Sequence, residues 1–264
     1  MSIPTAPVPD QASVSHCLLD AHGRELSAVG AEHPYYAAST IKLHVLCAAL
    51  FAADRGELDL DATVGSARTF TGADGQAFTL GGDHLDPTHP GEGERIAVRE
   101  LAVRMIDRSS NEATNHLVEL IGLDAVAAAI KDLGLTATRV ERLIGDKGAI
   151  DAGATNETSA RDLAVTMRAL VGAGSGLSRA SQQLAREALR AQRIPVIGKA
   201  LRHGVEWGSK SGWVEGYRHD VAYVSSPAGP DTRFLAVLTA GIGQDDADAQ
   251  IADLVRTLLP DRAA

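Results

Sequence analysis

Apolar positions recur at helical spacing through the middle of the chain, and form short runs or alternate at its two ends. Val14 to Leu19 is a short apolar run, His22-Gly23 marks a turn, and Leu26 to Val29 reads as a returning strand. Ile41, Val45, Leu46, Ala49 and Leu50 then follow a helical period, so a buried helix begins near Ser39 and ends before Gly56. Residues 57–95 mix Gly- and Asp-rich pieces with short apolar ones such as Ala77–Leu80, which predicts loops and one minor hairpin. Helices are expected over Val98–Ile106, Glu112–Ile121 and Asp124–Leu133, the last closed by Gly134. Two more are expected over Ser159–Val171 and Ser178–Ala191, separated by a flexible break at Gly172–Gly176. Residues 138–157 show no clear period and read as a long loop lying against the surface. Beyond Pro195, Trp207–Trp213, Asp220–Val224 and Phe234–Thr239 suit strands, with a turn at Pro227–Asp231. Ala247–Leu259 closes the chain as an amphipathic helix with Ile251, Leu254, Val255 and Leu258 on one face.

This distribution predicts an α+β fold in which strands from both chain ends pair into one antiparallel sheet flanked by helices, beside an all-helical subdomain. Residues 12–37 and 195–262 would form the discontinuous α/β part, 38–194 the helical part, and 1–11 a flexible N-terminus. An apolar content of 45% over 264 residues supports a sizeable core and argues against disorder. A net charge of −9 argues against a nucleic-acid partner, since that class is more often basic. Two cysteines, Cys17 and Cys47, cannot build a disulfide framework and are expected as buried free thiols. The first ten residues are proline-rich and polar, without the basic start and apolar run of a secretory signal. No stretch approaches membrane-spanning length, so the expectation is a soluble cytoplasmic protein with no membrane partner. His84, Asp86 and His89 cluster, but their spacing matches no usual ligand pattern; neither metal nor cofactor is expected.

The candidate chemistry lies in three motifs, each occurring once. Ser39-Thr40-Ile41-Lys42 places a hydroxyl and an amine three residues apart, hence on one face of a helix, and a lysine among apolar neighbours loses basicity through desolvation. A neutral amine beside a serine hydroxyl is a base beside a nucleophile. Ser109-Ser110-Asn111 and Lys210-Ser211-Gly212 follow later in the chain. Each alone has a plain structural account. Ser39 can cap a helix while Lys42 reaches solvent, Ser109 with Glu112 can form a capping box, and Lys210-Ser211-Gly212 can end a strand.

Together, in this order, the motifs resemble those of the penicillin-recognising serine enzymes, most closely the class A β-lactamases, which carry S-x-x-K, S-D-N and K-[ST]-G. The resemblance runs from about residue 14 to 260. It includes Val98-Arg99-Glu100-Leu101 leading to Met105-Ile106, Ala113-Thr114-Asn115 after the second motif, and Thr138–Arg142 as the start of an omega loop. Gly216 through Asp220 and Val221 matches the strand after K-[ST]-G. The resemblance implies that Ser39 attacks a carbonyl and becomes acylated, that Lys42 accepts its proton, and that Ser109 relays a proton to the leaving group with Lys210 supplying positive charge. It further implies that Asn111 bonds the substrate's side-chain amide, that the backbone N–H groups of Ser39 and Trp213 form the oxyanion hole, and that Ser211 and Arg218 bind a carboxylate. Gly212 completes the third motif, and Trp213 would pack on the acyl side chain.

The pattern breaks in the omega loop. Class A enzymes carry there a glutamate that activates the deacylating water; it falls two residues after the arginine matched by Arg142, where this chain has Ile144. Asn156 stands near the place of the loop's closing acid, so a salt bridge from Arg142 is missing or uses Asp151, and Asp146 is the nearest candidate for a substitute base. Ser110 replaces the aspartate of the second motif. The expectation is a β-lactamase-like serine hydrolase that forms an acyl-serine from a small-molecule β-lactam, ester or amide and releases it weakly. A biosynthetic acyltransferase or amide-forming enzyme, and a binder that is acylated without turnover, are the alternatives.

Overall fold

The computed structural model describes residues 9–81, 85–173, 176–225 and 231–264. The chain begins with β1 (Ser13–Leu19), β2 (Glu25–Val29) and β3 (Tyr35–Tyr36), then a 3₁₀ turn over Ala38–Ile41 that runs into α1 (Lys42–Asp54). Four short strands follow, β4 (Thr63–Gly65), β5 (Thr69–Thr71), β6 (Ala77–Thr79) and β7 (Arg95–Ala97), and then α2 (Val98–Asp107), α3 (Asn111–Ile121) and α4 (Leu123–Asp132). Next come β8 (Arg139–Val140), α5 (Lys147–Asp151), β9 (Asn156–Thr158), α6 (Ala160–Val171) and α7 (Arg179–Arg190). A second 3₁₀ turn (Ile197–Ala200) leads to β10 (Trp207–Val214), β11 (Tyr217–Ser225), β12 (Thr232–Ala240) and α8 (Gln244–Leu258).

The main sheet has the order β10-β11-β12-β1-β2 and is antiparallel throughout. Every residue of β1 from Ser13 to Leu19 faces one of β12 from Ala240 back to Phe234, so the two chain ends are joined at the sheet's centre. Alternation divides the strands between two cores. Cys17, Leu19, Val221, Tyr223, Phe234 and Ala236 turn toward the helices, where they meet a core containing Leu46, Met105, Leu163 and Leu189. Leu18, Ala222, Val224, Leu235 and Val237 turn the other way, onto Ile251 and Val255 of α8. The first core is continuous between sheet and helices, with α6 lying directly on β1, β11 and β12.

Helix α1 is buried along nearly its whole length and is ringed by α2, α3, α4, α6 and α7. A helix apolar on all sides belongs in an interior, and that position fixes the residues at its start.

Several sequence expectations shift. The nucleophile candidate lies in a 3₁₀ turn ahead of α1, not within the helix itself. Residues 138–157 are more ordered than a surface loop: β9 pairs with β3 on one side and β8 on the other, and α5 is capped by Asp146. In 57–95 the hairpin pairs β5 with β6, and β4 with β7 form a second ribbon. These strands are two or three residues long, too short for periodicity to register. Residues 1–8, 82–84, 174–175 and 226–230 lie outside the described residues, so the flexible N-terminus expected over 1–11 falls mostly there. With them go His84, most of the predicted 227–231 turn and part of the Gly172–Gly176 break. Cys17 and Cys47 are buried and free. Among the described residues no single helix is long and apolar enough to cross a membrane, and no group of three or more His, Cys, Asp or Glu is placed to hold a metal ion.

Candidate active site

Three separate parts of the chain converge where α1 begins: the Ala38–Ile41 turn, the Ser109–Asn111 corner before α3, and the edge strand β10. The turn is held from behind. Ala37 N–H donates to Asn156 O (3.0 Å) and Thr40 Oγ1 donates to Ala37 O (2.6 Å). His219 on β11 accepts from the Thr239 N–H at Nδ1 (3.2 Å), so its proton sits on Nε2 and donates to Tyr36 O (2.9 Å). Burial pushes His219 down to about 4, which keeps it neutral and in this tautomer. Gly212 lets β10 approach: a Cβ there would lie 3.0 Å from both Ser39 N and Thr40 N and 3.2 Å from Ala37 O. Only two non-glycine residues among those described have positive φ, Ala38 (+45°) and Ser109 (+60°), and both are in this site. Left-handed backbone at such residues costs energy and survives only where the surroundings impose it.

Lys42 is fully buried and its Nζ has four oxygens within reach. It donates at 2.6 Å to Ser109 O and at 2.6 Å to Asn111 Oδ1. The other two are hydroxyls, Ser39 Oγ at 3.1 Å and Ser109 Oγ at 3.0 Å. The amide and peptide oxygens can only accept, so they take two N–H bonds, which is all a neutral amine has. Its lone pair is then left for the two hydroxyls. Lys42 is driven well below the ordinary lysine range first by desolvation and then by the neighbouring Lys210 amine, with Glu112 acting weakly the other way. Desolvation and Lys210 thus favour the neutral form, and in that form the geometry turns the amine's lone pair toward Ser39.

Ser109 Oγ lies between two amines, with Lys210 Nζ at 3.1 Å opposite Lys42. Lys210 also donates to Ser211 O at 2.6 Å and is fully buried. Desolvation brings it down to about 7, Asp220 opposing. A hydroxyl bridging two amines of lowered basicity can take a proton from one side and release it on the other. The cap of α3 is Ser110, not Ser109: Ser110 Oγ accepts the Ala113 N–H (3.1 Å). The capping-box reading of Ser109 with Glu112 is therefore corrected; the φ of +60° turns Ser109 out of the helix and into the cleft.

The omega-loop segment is held through its backbone. Asn115, completely buried, accepts the Ile144 N–H (2.8 Å) and donates to Ile144 O (2.9 Å). Ile144 is thus fixed in position whatever its side chain. Asp146 is structural: its carboxylate accepts the Ala149 N–H (3.0 Å), capping α5, and the Ala73 N–H (2.9 Å). Among the described residues Arg142 pairs with no carboxylate; it donates to Ala154 O, Leu143 O and Tyr36 Oη, while Asp151 is engaged by Lys147. Asn156 ties the loop's base by donating to Arg142 O (3.2 Å).

The structure therefore brings together Ser39, Lys42, Ser109, Asn111, Lys210 and Gly212. Asn111 meets Lys42 with its carbonyl oxygen. Ser211 is buried, and Trp213 is 41% exposed at the edge of the sheet. Arg218 faces Trp213 across the β10–β11 pair and is 3% exposed, but its guanidinium already grips Asp248 of α8 through two bonds, 2.5 and 3.2 Å. Asp86 and His89, from the predicted cluster, engage Arg104 and Ser66 respectively. Sequence reasoning does not single out His219 or Asp248. A polar residue between Tyr217 and Val221 on an inward-facing strand register was the available signal for the first; nothing local marks the second.

No curated protein matches the chain. Among solved structures, a beta-lactamase from Sphaerobacter thermophilus is 27% identical with a TM-score of 0.75, covering 94% of this chain and 92% of its own. An ancestral class A beta-lactamase is 25% identical with a TM-score of 0.76, covering 95% and 94%. PBP-A, in a mutant form bound as an acyl-enzyme with penicillin-G, shares the fold at 22% identity and a TM-score of 0.76, covering 96% and 92%. The model of the Beta-lactamase enzyme family matches residues 7–260, nearly the whole chain, and the chain belongs to that family of serine hydrolases acting through an acyl-serine.

Proposed function

We propose that this protein takes an acyl group onto Ser39 from an ester, an amide or a β-lactam, with Lys42 as general base and Ser109 as proton relay, and hands it to water slowly. The observation that carries the reading is the saturation of Lys42 by Ser109 O and Asn111 Oδ1, which leaves its lone pair for the serine hydroxyls. In the first step Ser39 Oγ bonds to the carbonyl carbon as its proton passes to Lys42. The negative oxygen then lies against the Ser39 N–H and the edge of β10 by Gly212 and Trp213. Ser109 passes the proton to the departing nitrogen or oxygen, and the carbonyl re-forms as the acyl-serine.

Release is the altered step. Ile144 stands where the class A pattern has its water-activating glutamate, and the nearby Asp146 is committed to two backbone N–H groups. The same feature favours an amine acceptor over water, because an amine of adequate basicity needs no such base. The test is incubation with nitrocefin, with a fluorescent penicillin and with an activated phenyl ester, each followed by intact mass. A Ser39 adduct that accumulates, and that an added amine discharges faster than buffer alone, is expected. Absence of any adduct, or equal labelling of Lys42→Ala, would refute the acyl-serine reading; rapid multiple turnover would refute slow release.

A further inference from the structure

The nucleophile turn hangs from a strand with no strand on its other side: β3 is an edge of the three-stranded sheet β3-β9-β8. Along an antiparallel pair, successive residues turn their main-chain groups alternately toward the partner and away from it. Ala37 N–H bonds Asn156 O of β9, so Tyr36 O points away from β9. There it meets the side chain of His219, which belongs to β11 of the main sheet. The imidazole joins the two sheets just ahead of the turn that carries Ser39. His219 faces Gly212 in the β10–β11 register, so its ring stands on the same sheet face as the glycine at which a Cβ would reach Ser39 N and Thr40 N. Both ring nitrogens are engaged, Nε2–H with Tyr36 O and Nδ1 with the Thr239 N–H. Tyr35 and Tyr217 meet the ring edge-on, with centroids 5.8 and 6.0 Å away.

Resting on the acyl-serine reading of this cleft, we infer that His219 is a positioning residue for acylation: in the neutral form with its proton on Nε2 it pins Tyr36 O to the main sheet, and so sets Ser39 and its N–H against β10. Charging the ring undoes this. An imidazolium carries an N–H on both nitrogens, and the one on Nδ1 would point at the Thr239 N–H, donor against donor. The ring must then turn or Thr239 withdraw, and either movement frees Tyr36 O. Ala38, held at φ +45° in the turn, can relax once that pin is gone. The surroundings oppose the charged form. His219 is wholly buried, and Arg218 beside it on β11 adds positive charge. Lys210 projects to the same sheet face, while Asp220 projects to the other. The ring's aromatic neighbours are Tyr35 and Tyr217, with His33 beyond Tyr35 at 5.0 Å.

Two variants separate the bond from the bulk. His219→Phe keeps a ring between Tyr35 and Tyr217 but has no N–H for Tyr36 O; His219→Gln can still donate there and does not titrate. Acylation by a fluorescent penicillin is followed by intact mass, and binding by fluorescence anisotropy on the same chains carrying Ser39→Ala. His219→Phe is expected to acylate roughly 10–10²-fold more slowly, with binding changed by less than about three-fold, and His219→Gln to recover most of the rate. Acylation by the parent should fall reversibly as pH drops through about 4, with the fold retained by circular dichroism. That fall should be missing from His219→Gln, whereas a limb due to Lys42 stays in both chains. Hydrogen exchange over residues 36–40, read without substrate, should speed up in His219→Phe and not in His219→Gln. Parent-like acylation by His219→Phe, an equal loss in both variants, or an acid limb kept by His219→Gln would overturn the inference. If His219→Phe does not fold, His219→Gln and the parent's acid limb decide alone. If the exchange difference is seen but no chain is labelled, the pin stands and the acyl-serine reading fails instead.

Discussion

Replacing Ile144 with glutamate is the sharpest perturbation the structure offers. The backbone at this position is held from both sides by Asn115, at 2.8 and 2.9 Å, and those bonds do not involve the Ile144 side chain. A glutamate would therefore inherit a fixed Cα and aim from the same place. Ile144 is only partly buried, so the substitution should cost no more than about 1 kcal/mol of stability. General-base assistance is worth roughly 10²–10⁴-fold, or about 2.7–5.4 kcal/mol at about 1.36 kcal/mol per decade. The acyl-enzyme formed with a fluorescent penicillin should then decay about 10²–10⁴ times faster in Ile144→Glu, with acylation rates changed far less. The assay is single-turnover: acylate, remove free ligand, and follow the adduct by intact mass. Ile144→Leu serves as the control for side-chain replacement alone, and Asp146→Ala tests the rival base. Because Asp146 spends its oxygens on the Ala149 and Ala73 N–H groups, its loss should cost about 1 kcal/mol or more in unfolding without lengthening the adduct's life. The reasoning fails if Ile144→Glu folds like the parent and its adduct is equally long-lived, or if Asp146→Ala slows release.

Lys42→Ala should reduce Ser39 labelling by at least about 10²-fold with the fold retained by circular dichroism, since both hydroxyls lose their acceptor. Burial sets Lys210 at about 7 against an ordinary 10.5 in the unfolded chain, so between these values the unfolded state binds more protons. Stability against urea should therefore climb from about pH 7 upward and lie flat below it for this group, and Lys210→Met should remove the climb. If the charge of Lys210 assists Ser109, acylation should fall as pH passes about 7, and Lys210→Arg should extend the plateau to higher pH. Gly212→Ala sets a methyl 3.0 Å from Ser39 N and Thr40 N, main-chain atoms that have little room to give; a loss of about 1–3 kcal/mol in unfolding and slower acylation are expected. Ala38→Gly relieves the +45° φ beside the nucleophile and should raise stability by about 1 kcal/mol in a denaturant melt.

What could be read from the chain alone follows from the range of the forces involved. Helical periodicity in α1, α2, α3 and α6 is a local signal, because each helix must bury a stripe. Hence Lys42 could be placed one turn from Ser39 before any coordinates. The pairing of β1 with β12 was also legible, since strands at the two ends of a chain rich in helices have few other partners. Where the expectation failed, the deciding contacts were distant in sequence. Ser110 displaces Ser109 as the helix cap because Ser109 is pulled into left-handed backbone by Lys42 and Lys210, from positions far upstream and downstream. The 138–157 segment reads as a loop lying against the surface because its strands are too short to show a period and much of what holds it comes from outside, from Asn115, Tyr36 and Ala73. Arg218 shows the same logic at the level of charge. Its place on the strand was readable, but the carboxylate it pairs with, Asp248, comes thirty residues later on a helix whose acidic face looks like ordinary solvent-facing surface. A motif can therefore fix which groups meet, while the groups that hold and compensate them come from stretches that carry no motif.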